Sequence, residues 1–496
     1  MTVHVELRRG AYHDSVSLMQ VSRAVAGSPG VQAAQVAMAT ELNVDVLRQM
    51  GFDVPEGAGP NDLVVALRVD DEDAVAAGLA AVEDALRALT ASSSDTGSAD
   101  EVPPATLGSA VRRSGANLAL VSVPGAHAVT ETYDAIAAGA SVMLFSDNVS
   151  VEDEVALKDA AAAADVLVMG PDCGTALVGG VALGFANVVR PGPVGIVAAS
   201  GTGAQQAMCL LDAAGVGVSH CLGVGGRDLK AAVGGRATRQ ALRALAEDAS
   251  TEWVLVVSKP PDDGVLDSIR AEAADLGLRV HWATLGAGRP DLTAATEAAL
   301  QAEGVAVPDW PATQADPEDA TLTTGPSLRG LFCGGTLAEE ALLVATDALG
   351  PIASNLGHEP ALGATTTDPG HVVVDFGADE LTRGRAHPMI DPTLRMERIA
   401  AEAADPTCGV LLLDLVLGHG AHPDPAGELA DAVRHARDTA HADGRALPVV
   451  VSLTGTDADP QGRARCADVL AAAGASVFLS NAAAARHAVA LLGGTR

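Results

Sequence analysis

Three apolar runs in this chain end directly in a glycine-rich turn, and each turn is followed by a helix-type sequence. The turns are SGTG at Ser200–Gly203, GGT at Gly334–Thr336 and GHG at Gly418–Gly420. A buried strand that leads into a helix through such a turn is the building unit of a parallel sheet with helices on its faces. The pattern predicts an α/β fold for most of the chain.

The glycine-rich turns are also candidate anion sites. Glycine lets the backbone approach a ligand, and the unpaired N–H groups of a first helical turn, with the positive end of the helix dipole, hold a negative charge. None of the turns is a Walker A loop or a dinucleotide fingerprint, so each could also be a simple tight connection. Our phosphate-binding candidates are Ser200, Gly201, Thr202, Gly203, Gly334, Gly335, Thr336, Gly418 and Gly420.

The order of periodic segments, with polar Pro-rich stretches between some of them, predicts a multi-domain protein. The predicted parts are a small α+β module at 1–90, a linker at 91–106, α/β domains at 107–190 and 191–307, a linker at 308–327 and a last α/β domain at 328–496. Because residues 107–190 read as βαβαβ, we expect a doubly wound parallel sheet there.

Composition restricts the partners. Hydrophobic residues make up 48% of the chain and aromatic residues 2%, so helices rich in small residues must cover the sheets. The net charge of −32 repels nucleic acid and anionic membranes, and we expect neither as a partner. The acid excess also has a plainer explanation, since it keeps a large protein soluble.

The sequence also bears on location and metals. Six scattered cysteines without a CxxC pair indicate reduced thiols, and no metal-spaced His/Asp cluster occurs, so we expect no metal. The first residues lack a basic segment followed by an apolar run, and no apolar stretch approaches the roughly 20 residues that a spanning helix needs. We therefore predict a cytoplasmic protein.

Two loops carry polar residues that could act on a substrate. His419 and His422 lie in or beside the third glycine turn, where an acid or base would face a phosphate, although they could be an ordinary loop pair. His387 and Arg395 lie in the segment RAHPMIDPTLR. Arg395 could clamp an anion there or belong to a plain loop.

Several motifs give the chain a family resemblance. The order of four motifs resembles the α subunit of succinyl-CoA synthetase: SVPG at Ser122–Gly125, GPDCG at Gly170–Gly174, PGPVGIVAASGT at Pro191–Thr202 and GVGG at Gly223–Gly226. Leu411–Gly420 and Val449–Asp459 are similar to the C-terminal ligase domain of the β subunit. Four further stretches resemble the FdrA family specifically: Tyr12–Ser22, Met38–Asn43, Leu331–Ala341 and His387–Pro392.

The resemblance implies a Rossmann-like, CoA-binding-type domain followed by two flavodoxin-like ligase domains that face a shared anion site. In the synthetases two helix N-termini hold the phosphate of a phosphohistidine. The resemblance maps these N-termini onto Ser200–Thr202 and Gly418–Gly420. It also implies that Asp172, Cys173 and Gly174 line the acceptor site.

Two departures limit what the synthetases imply. Residues 280–310 lack the GHAGA motif that carries the phosphorylated histidine, and no glycine turn of the CoA-site kind precedes Asn117. There is also no room for a nucleotide-grasping domain. The resemblance therefore leaves CoA as an open alternative and carries over no phosphohistidine.

The FdrA resemblance implies a subunit of an oxamate carbamoyltransferase in allantoin breakdown. Its ligand would be carbamoyl phosphate or phosphate, and its partners a small acid or amide, other subunits and a carbamate kinase. His419 or His422 would then assist proton transfer. Two alternatives stay open, an NDP-forming acyl-CoA synthetase subunit with a separate nucleotide-binding partner and a non-catalytic scaffold.

Overall fold

The computed structural model describes residues 2–11, 13, 15–55, 57–93, 103–315, 322–362, 370–382 and 386–493. Tyr12 and Asp14 of the Tyr12–Ser22 motif, much of the first predicted linker and part of the second lie outside these residues. The chain divides into two compact units, one of residues 1–105 with 382–386 and one of 106–381 with 387–496. Among the described helices, none has the length and apolarity of a membrane span.

The first unit is a three-stranded antiparallel sheet in the order β1-β3-β2, with helices on both faces. Leu18 of α1 and Val82 of α3 join the core on one face, and Leu47 of α2 joins a smaller core on the other. Its elements are β1 (Thr2–Arg8), α1 (Ser15–Ala26), β2 (Val31–Met38), α2 (Glu41–Gln49), β3 (Leu63–Val69) and α3 (Asp73–Ser93). The α+β composition agrees with the prediction, while the short helix α2 was not predicted.

The second unit begins with a small parallel sheet whose strands lie in chain order, β4-β5-β6. The doubly wound sheet predicted for 107–190 is wrong, because the strand order never reverses and residues 175–184 leave to form a hairpin in the next sheet. The elements are α4 (Leu107–Ser114), β4 (Leu118–Val121), α5 (Gly125–Ala137), β5 (Ser141–Leu144), α6 (Val151–Ala163) and β6 (Val168–Met169).

The next sheet has six strands in the order β12-β11-β9-β10-β7-β8. Strands β9 to β12 are parallel and follow the flavodoxin-like order 2-1-3-4, with the β7–β8 hairpin antiparallel at the edge. The elements are β7 (Thr175–Val178), β8 (Val181–Gly184), β9 (Pro191–Ala199), α7 (Gly201–Ala213), β10 (Val218–Gly223), α8 (Arg236–Glu247), β11 (Trp253–Ser258), α9 (Asp263–Asp275), β12 (Val280–Thr284) and α10 (Leu292–Ala302).

The last sheet has seven strands in the order β13-β19-β18-β17-β14-β16-β15, and all but β13 are parallel. Counted from β14, with the two-residue edge strand β15 and the antiparallel β13 left out, it follows the flavodoxin-like order 2-1-3-4-5, which confirms the predicted fold class. The elements are β13 (Ala312–Thr313), β14 (Ser327–Phe332), α11 (Gly335–Leu349), β15 (Ala353–Ser354), β16 (Val372–Asp375), α12 (Asp379–Thr382), α13 (Thr393–Ala404), β17 (Cys408–Val416), α14 (Pro425–Ala442), β18 (Val449–Thr454), α15 (Arg463–Ala472), β19 (Ala475–Phe478) and α16 (Asn481–Leu491).

Each flavodoxin-like sheet has a point where the strand order reverses. These points lie between β9 and β11 in one sheet and between β14 and β17 in the other. The central strands are buried on both faces, as their near-continuous apolar sequences predict. Ligands of open α/β sheets bind at such reversal points, beyond the carboxyl ends of the strands. Helices α7 and α11 begin there.

Candidate functional site

The N-termini of α7 and α11 meet directly. Ser200 is the N-cap of α7, and its Oγ accepts a hydrogen bond from the N–H of Gly203 at 2.9 Å. The same hydroxyl lies 2.6 Å from Oγ1 of Thr336, in the first turn of α11. A Cβ atom placed on Gly334 would lie 2.9 Å from Oγ1 of Thr202. The approach of the two turns therefore requires glycine at position 334.

Both N-termini present backbone N–H groups without a protein partner. Among the described residues, no acceptor faces the N–H groups of Gly201 and Thr202 on α7 or of Gly335 and Thr336 on α11. The first N–H groups of a helix have no intrahelical acceptor, and the dipoles of two helices add positive potential at the same place. The arrangement suits an oxyanion such as phosphate.

Two charged residues that the sequence did not single out border the N-terminus of α11. A Cβ atom placed on Gly335 would lie 2.5 Å from Oδ2 of Asp375 and 2.9 Å from Nζ of Lys259. Asp375 ends β16 and Lys259 directly follows β11. Their positions could have identified them as site candidates from the sequence, because residues at the carboxyl ends of parallel strands lie at the same edge of a sheet.

Burial raises the pKa of Asp375 to about 6, and the carboxylates of Asp414 and Glu380 act in the same direction. The ammonium of Lys259 and a hydrogen bond from the N–H of Gly377 oppose this rise. Asp375 thus takes up and releases a proton near neutral pH, which an ordinary aspartate does not.

His387 adds a neutral imidazole to the same place. A Cβ atom placed on Gly377 would lie 2.8 Å from Nε2 of His387 and 3.2 Å from Oδ1 of Asp375. Burial lowers the pKa of His387 to about 4, so the ring is uncharged at neutral pH. Its Nδ1 accepts from the N–H of Met389 at 3.2 Å, which assigns the proton to Nε2. His387 therefore offers a hydrogen-bond donor.

Of the three residues mapped to the acceptor site, Asp172 has a carboxylate that makes no hydrogen bond or ion pair with any described residue. Its side chain is exposed, yet the protein that surrounds it raises its pKa to about 7 through desolvation, with help from Asp379 and Asp147. The charges of Lys259 and Arg227 oppose the rise. Asp172 and Asp375 are thus both influenced by the charge of Lys259.

Cys173 and Gly174 have structural environments instead. The Cys173 side chain is buried, its thiol donates to the carbonyl of Thr175 at 3.5 Å, and burial raises its pKa to about 12. The carbonyl of Gly174 accepts from the N–H of Phe185 at 2.8 Å. Cys173 is therefore a core residue, and Gly174 stabilises the β7–β8 hairpin. These environments do not favour a role for either residue in an acceptor site.

The third glycine turn is used for packing. The N–H of Gly418 donates to Oε1 of Gln461 at 3.1 Å, and the N–H of His419 donates to the carbonyl of Ala186 at 2.8 Å. A Cβ atom placed on Gly420 would lie 3.0 Å from Phe185. Helix α14 begins only at Pro425. The N–H of Gly418 is therefore occupied by a protein acceptor, while phosphate binding by Gly420 stays a prediction. The helix N-terminus that meets α7 is that of α11.

The structure does not bring the two predicted catalytic histidines to the paired N-termini. His422 is buried, its Nδ1 accepts from the N–H of Asp424 at 3.0 Å, and its Nε2 lies 3.1 Å from Oε1 of Glu428. These contacts tie it to the first turn of α14. His419 has an exposed side chain, and its backbone bridges to Ala186. Among the described histidines, His387 is the one whose imidazole borders Gly377 together with Asp375.

Arg395 clamps a protein carboxylate. Its Nη2 lies 3.3 Å from Oδ1 of Asp414, and both residues are buried. The Asp414 carboxylate in turn accepts from the N–H groups of Cys333 at 2.8 Å and Gly334 at 2.9 Å. Arg395 therefore balances the charge of the carboxylate that caps α11. Its guanidinium binds this protein carboxylate and does not face a ligand, as the predicted anion clamp would.

A cavity of about 590 Å³ lies elsewhere, between the later part of α7 and the loop after β18. Its arginines are paired within its own lining, Arg190 with Asp212 at 3.0 Å and Arg463 with Asp457 at 3.2 Å. The arginines of this cavity are therefore already neutralised by neighbouring carboxylates, whereas the N-termini of α7 and α11 have N–H groups that could bind an anion.

Two family models match the chain, "AllF, heavy metal-associated domain" over residues 1–103 and "CoA-ligase" over residues 331–491. Residues 1–103 contain no cysteine and only His4 and His13 as histidines, so the thiolate ligands that heavy metals prefer are absent. Among the described residues, no group of three His, Cys, Asp or Glu could hold a metal ion. The donor set does not fit a metal site in this module.

The chain is 38% identical over 485 residues to "Uncharacterized protein YahF" of Escherichia coli (strain K12), covering 92% of each. It is 29% identical over 160 residues to the succinate–CoA ligase [ADP-forming] subunit alpha of Aquifex aeolicus, covering 31% of this chain and 51% of that subunit. The crystal structure of PH0766 from Pyrococcus horikoshii aligns with 76% of this chain and 83% of its own, at 14% identity and a TM-score of 0.29.

Proposed function

This chain belongs to the same protein family as YahF of Escherichia coli, and we propose that it is the subunit of a carbamoyltransferase that binds the phosphate of carbamoyl phosphate. It is a succinyl-CoA synthetase-like protein with a CoA-ligase domain. We interpret the family as FdrA, with oxamate as acceptor and a role in allantoin breakdown.

The pairing of the α7 and α11 N-termini carries this proposal. Four free N–H groups and two hydroxyls converge where a phosphate would gain most from them. In carbamoyl transfer, negative charge develops on the leaving phosphate and on the carbamoyl oxygen. Preorganised N–H groups that face such charge are a large source of rate acceleration.

The transfer needs no phosphorylated enzyme. The amide nitrogen of oxamate attacks the carbamoyl carbon, the bond from that carbon to the phosphate oxygen breaks, and phosphate leaves with the electron pair. The N–H groups of Gly201, Thr202, Gly335 and Thr336 hold the phosphate. The Nε2–H of His387 donates to the carbamoyl oxygen. In reverse, the same site performs phosphorolysis of oxalurate.

An acyl-CoA ligase subunit is the second candidate function. The CoA-ligase family model and the similarity to succinate–CoA ligase favour it. The same N-termini would then hold an acyl phosphate, CoA would be the acceptor, and a separate partner would bind the nucleotide. This candidate also requires a histidine to be phosphorylated. His387, with its uncharged imidazole beside Asp375, is better placed for that role than His419 or His422.

The remaining expectations concern the setting of the reaction. We propose that the chain acts in the cytoplasm with other subunits of a hetero-oligomeric complex and supplies carbamoyl phosphate to a carbamate kinase. The proposed ligands are small acids, amides and phosphate.

A product assay tests the proposal. The chain, alone and with the proteins encoded beside it, is mixed with carbamoyl phosphate and oxamate, and oxalurate is measured by mass spectrometry. A parallel reaction with ATP, CoA and succinate is scored for thioester. Oxalurate without thioester is the expected result, and thioester without oxalurate would transfer the chain to the acyl-CoA ligases.

A matched pair of variants locates the activity. Thr336→Val removes the hydroxyl that faces Ser200, whereas Thr132→Val removes a buried hydroxyl that bonds the carbonyl of Ala128 in α5. The expected result is that Thr336→Val loses oxalurate formation and Thr132→Val keeps it. Equal activity of the two variants would remove the paired N-termini from the mechanism.

A further inference from the structure

Two titratable side chains from separate segments converge on the N-terminus of α11, and a third lies near Gly377. Lys259 and Asp375 approach Gly335, and His387 and Asp375 approach Gly377. Lys259 comes from one flavodoxin-like sheet and Asp375 from the other. Asp375 is common to both contacts and therefore lies at the centre of the cluster.

We propose that Asp375 is the general acid–base of the site and that Lys259 is the positioning residue that holds it ionised. This inference rests on the proposed function and adds the group that moves the proton. A carbamoyltransferase that uses an amide as acceptor must remove a proton from that nitrogen, and the N–H groups at the paired N-termini cannot accept one.

The step balances as follows. The Asp375 carboxylate takes the proton from the acceptor nitrogen while that nitrogen bonds to the carbamoyl carbon. The carbon–oxygen bond to phosphate breaks, and phosphate leaves with the electron pair. In the reverse direction, protonated Asp375 returns its proton to the departing nitrogen of oxamate. The carboxylate lies beside the first turn of α11, so the proton acceptor and the phosphate ligands are neighbours.

The groups around Asp375 give it this capacity. Lys259 faces it from the residue after β11, Asp414 from β17 and Glu380 from α12, while Nε2 of His387 and Oδ1 of Asp375 both border Gly377. The charge of Asp414 is already balanced by Arg395 and by two N–H groups. Lys259 makes no hydrogen bond or ion pair through Nζ with any described residue, so its charge remains available to Asp375 and to a ligand.

The backbone of Asp375 is fixed as a catalytic group requires. The side chain of Asn355 bonds both to the N–H of Asp375 at 2.9 Å and to its carbonyl at 2.8 Å. Oδ1 accepts from the N–H of Gly377 at 2.8 Å, which leaves Oδ2 to face Gly335. The pKa of about 6 supports the role, because a base is most effective when its pKa lies near the working pH.

Asp172 is the competing base. It is also influenced by Lys259 and has a raised pKa. Its side chain is exposed, however, and no described contact joins it to either helix N-terminus, whereas Oδ2 of Asp375 borders Gly335 directly. The two carboxylates are therefore compared in the same experiment.

The test measures kcat and kcat/KM for carbamoyl transfer between pH 5 and 8.5, and the binding of inorganic phosphate by calorimetry. The proteins are the wild type, Asp375→Asn, Asp375→Glu, Asp172→Asn, Lys259→Met and Lys259→Arg. We expect Asp375→Asn to lose at least about 100-fold in kcat and to lose the acid limb, while it keeps its affinity for phosphate. Asp375→Glu should recover part of the rate.

Lys259→Met provides an independent measurement. Removing the ammonium raises the pKa of Asp375, so the midpoint of the acid limb should move to higher pH, and Lys259→Arg should largely restore it. A midpoint that stays in place in Lys259→Met, or an acid limb that survives in Asp375→Asn and disappears in Asp172→Asn, overturns the proposal. Circular dichroism verifies that each variant is folded.

The proposed function and the proposed role of Asp375 can be refuted separately. If the wild type binds phosphate and forms no oxalurate with its partner subunits, the proposed function is wrong and the role of Asp375 falls with it. If the wild type forms oxalurate and folded Asp375→Asn does so at the same rate, the proposed function stands and only the role of Asp375 is refuted.

Discussion

The paired N-termini of α7 and α11 and the third glycine turn look alike in sequence and differ in what their N–H groups do. At Gly201 and Gly335 the first helical N–H groups face no acceptor in the part of the chain that the structure describes. At Gly418 the N–H group is bound by Gln461, and the next one by Ala186. We propose ligand access as the role of glycine in the first case, whereas in the second case glycine allows two loops to pack closely.

The two regions also differ in how soon a helix follows the glycine turn. Helix α7 starts at Gly201, two residues after β9 ends, and α11 starts at Gly335, three residues after β14 ends. Helix α14 starts at Pro425, well after β17. In the intervening segment, the N–H groups of Leu417, Gly418 and His419 are bound by acceptors of neighbouring segments.

The sharpest test of the comparison exchanges one glycine in each region. Gly335→Ala places a methyl group on the flexible ends of Asp375 and Lys259, which can move, so the fold survives while the site is displaced. A displacement of about 1 Å costs about 100-fold in rate. Gly418→Ala forces a residue with a φ of 117° against the backbone carbonyl of Ala186, which costs about 2–3 kcal/mol of folding free energy.

Activity per folded molecule and thermal unfolding are measured on both proteins. The expected pattern is an inactive, stable Gly335→Ala and an active, less stable Gly418→Ala. The opposite pattern would return the anion site to the third turn.

A second prediction uses the stability cost of the buried carboxylate. Asp375 has a folded pKa of about 6 against 3.8 for the free residue, so its ionisation disfavours the folded state once the pH exceeds 4. At pH 7 the free energy of unfolding of Asp375→Asn, measured by denaturant titration, should therefore exceed that of the wild type by about 2–3 kcal/mol. The gap should close between pH 6 and 4, where the wild-type side chain becomes neutral. An unchanged or reduced stability at pH 7 would contradict the desolvation of Asp375.

Much of the fold could be predicted because its signals are local. The apolar run at Cys408–Val416 predicts a central parallel strand, and the structure buries every residue of it. The order of strands within a sheet is not local. The sequence of residues 107–190 shows β and α segments in alternation, but nothing in it indicates that the hairpin Thr175–Gly184 joins another sheet.

The site could be predicted only in part, for the same reason. Ser200 and Thr336 were recognisable from their glycine turns, yet their contact depends on how two sheets pack. Lys259 and Asp375 stand alone at strand ends, without a motif around them. Arg395 looked like a free cation because its partner Asp414 lies inside a strand that otherwise reads as apolar. The spacing of residues along the sequence does not show which charged side chains from different strands and helices lie close together in the fold.

The third prediction weakens the packed turn without touching the paired N-termini. Gln461 donates to the carbonyls of Gly418 and His422 and accepts from the N–H of Gly418. Gln461→Ala leaves these buried groups unpaired, which should cost roughly 2 kcal/mol of unfolding free energy. Phosphate binding by the folded protein, measured by calorimetry at a temperature below its unfolding transition, should remain at the wild-type level. A parallel loss of phosphate affinity would mean that the third turn contributes to the anion site after all.

The smallest expected effect separates a helix cap from a ligand. Ser200 and Ser150 are both N-caps, and each Oγ accepts from the N–H three residues on, Gly203 and Asp153 respectively. Replacing either by alanine should cost about 1 kcal/mol of stability. Only Ser200 also meets Thr336, so Ser200→Ala should weaken phosphate binding about tenfold whereas Ser150→Ala leaves it unchanged. If both variants lose the same stability and neither loses affinity, the serine is purely a cap, and the N–H groups alone would form the anion site.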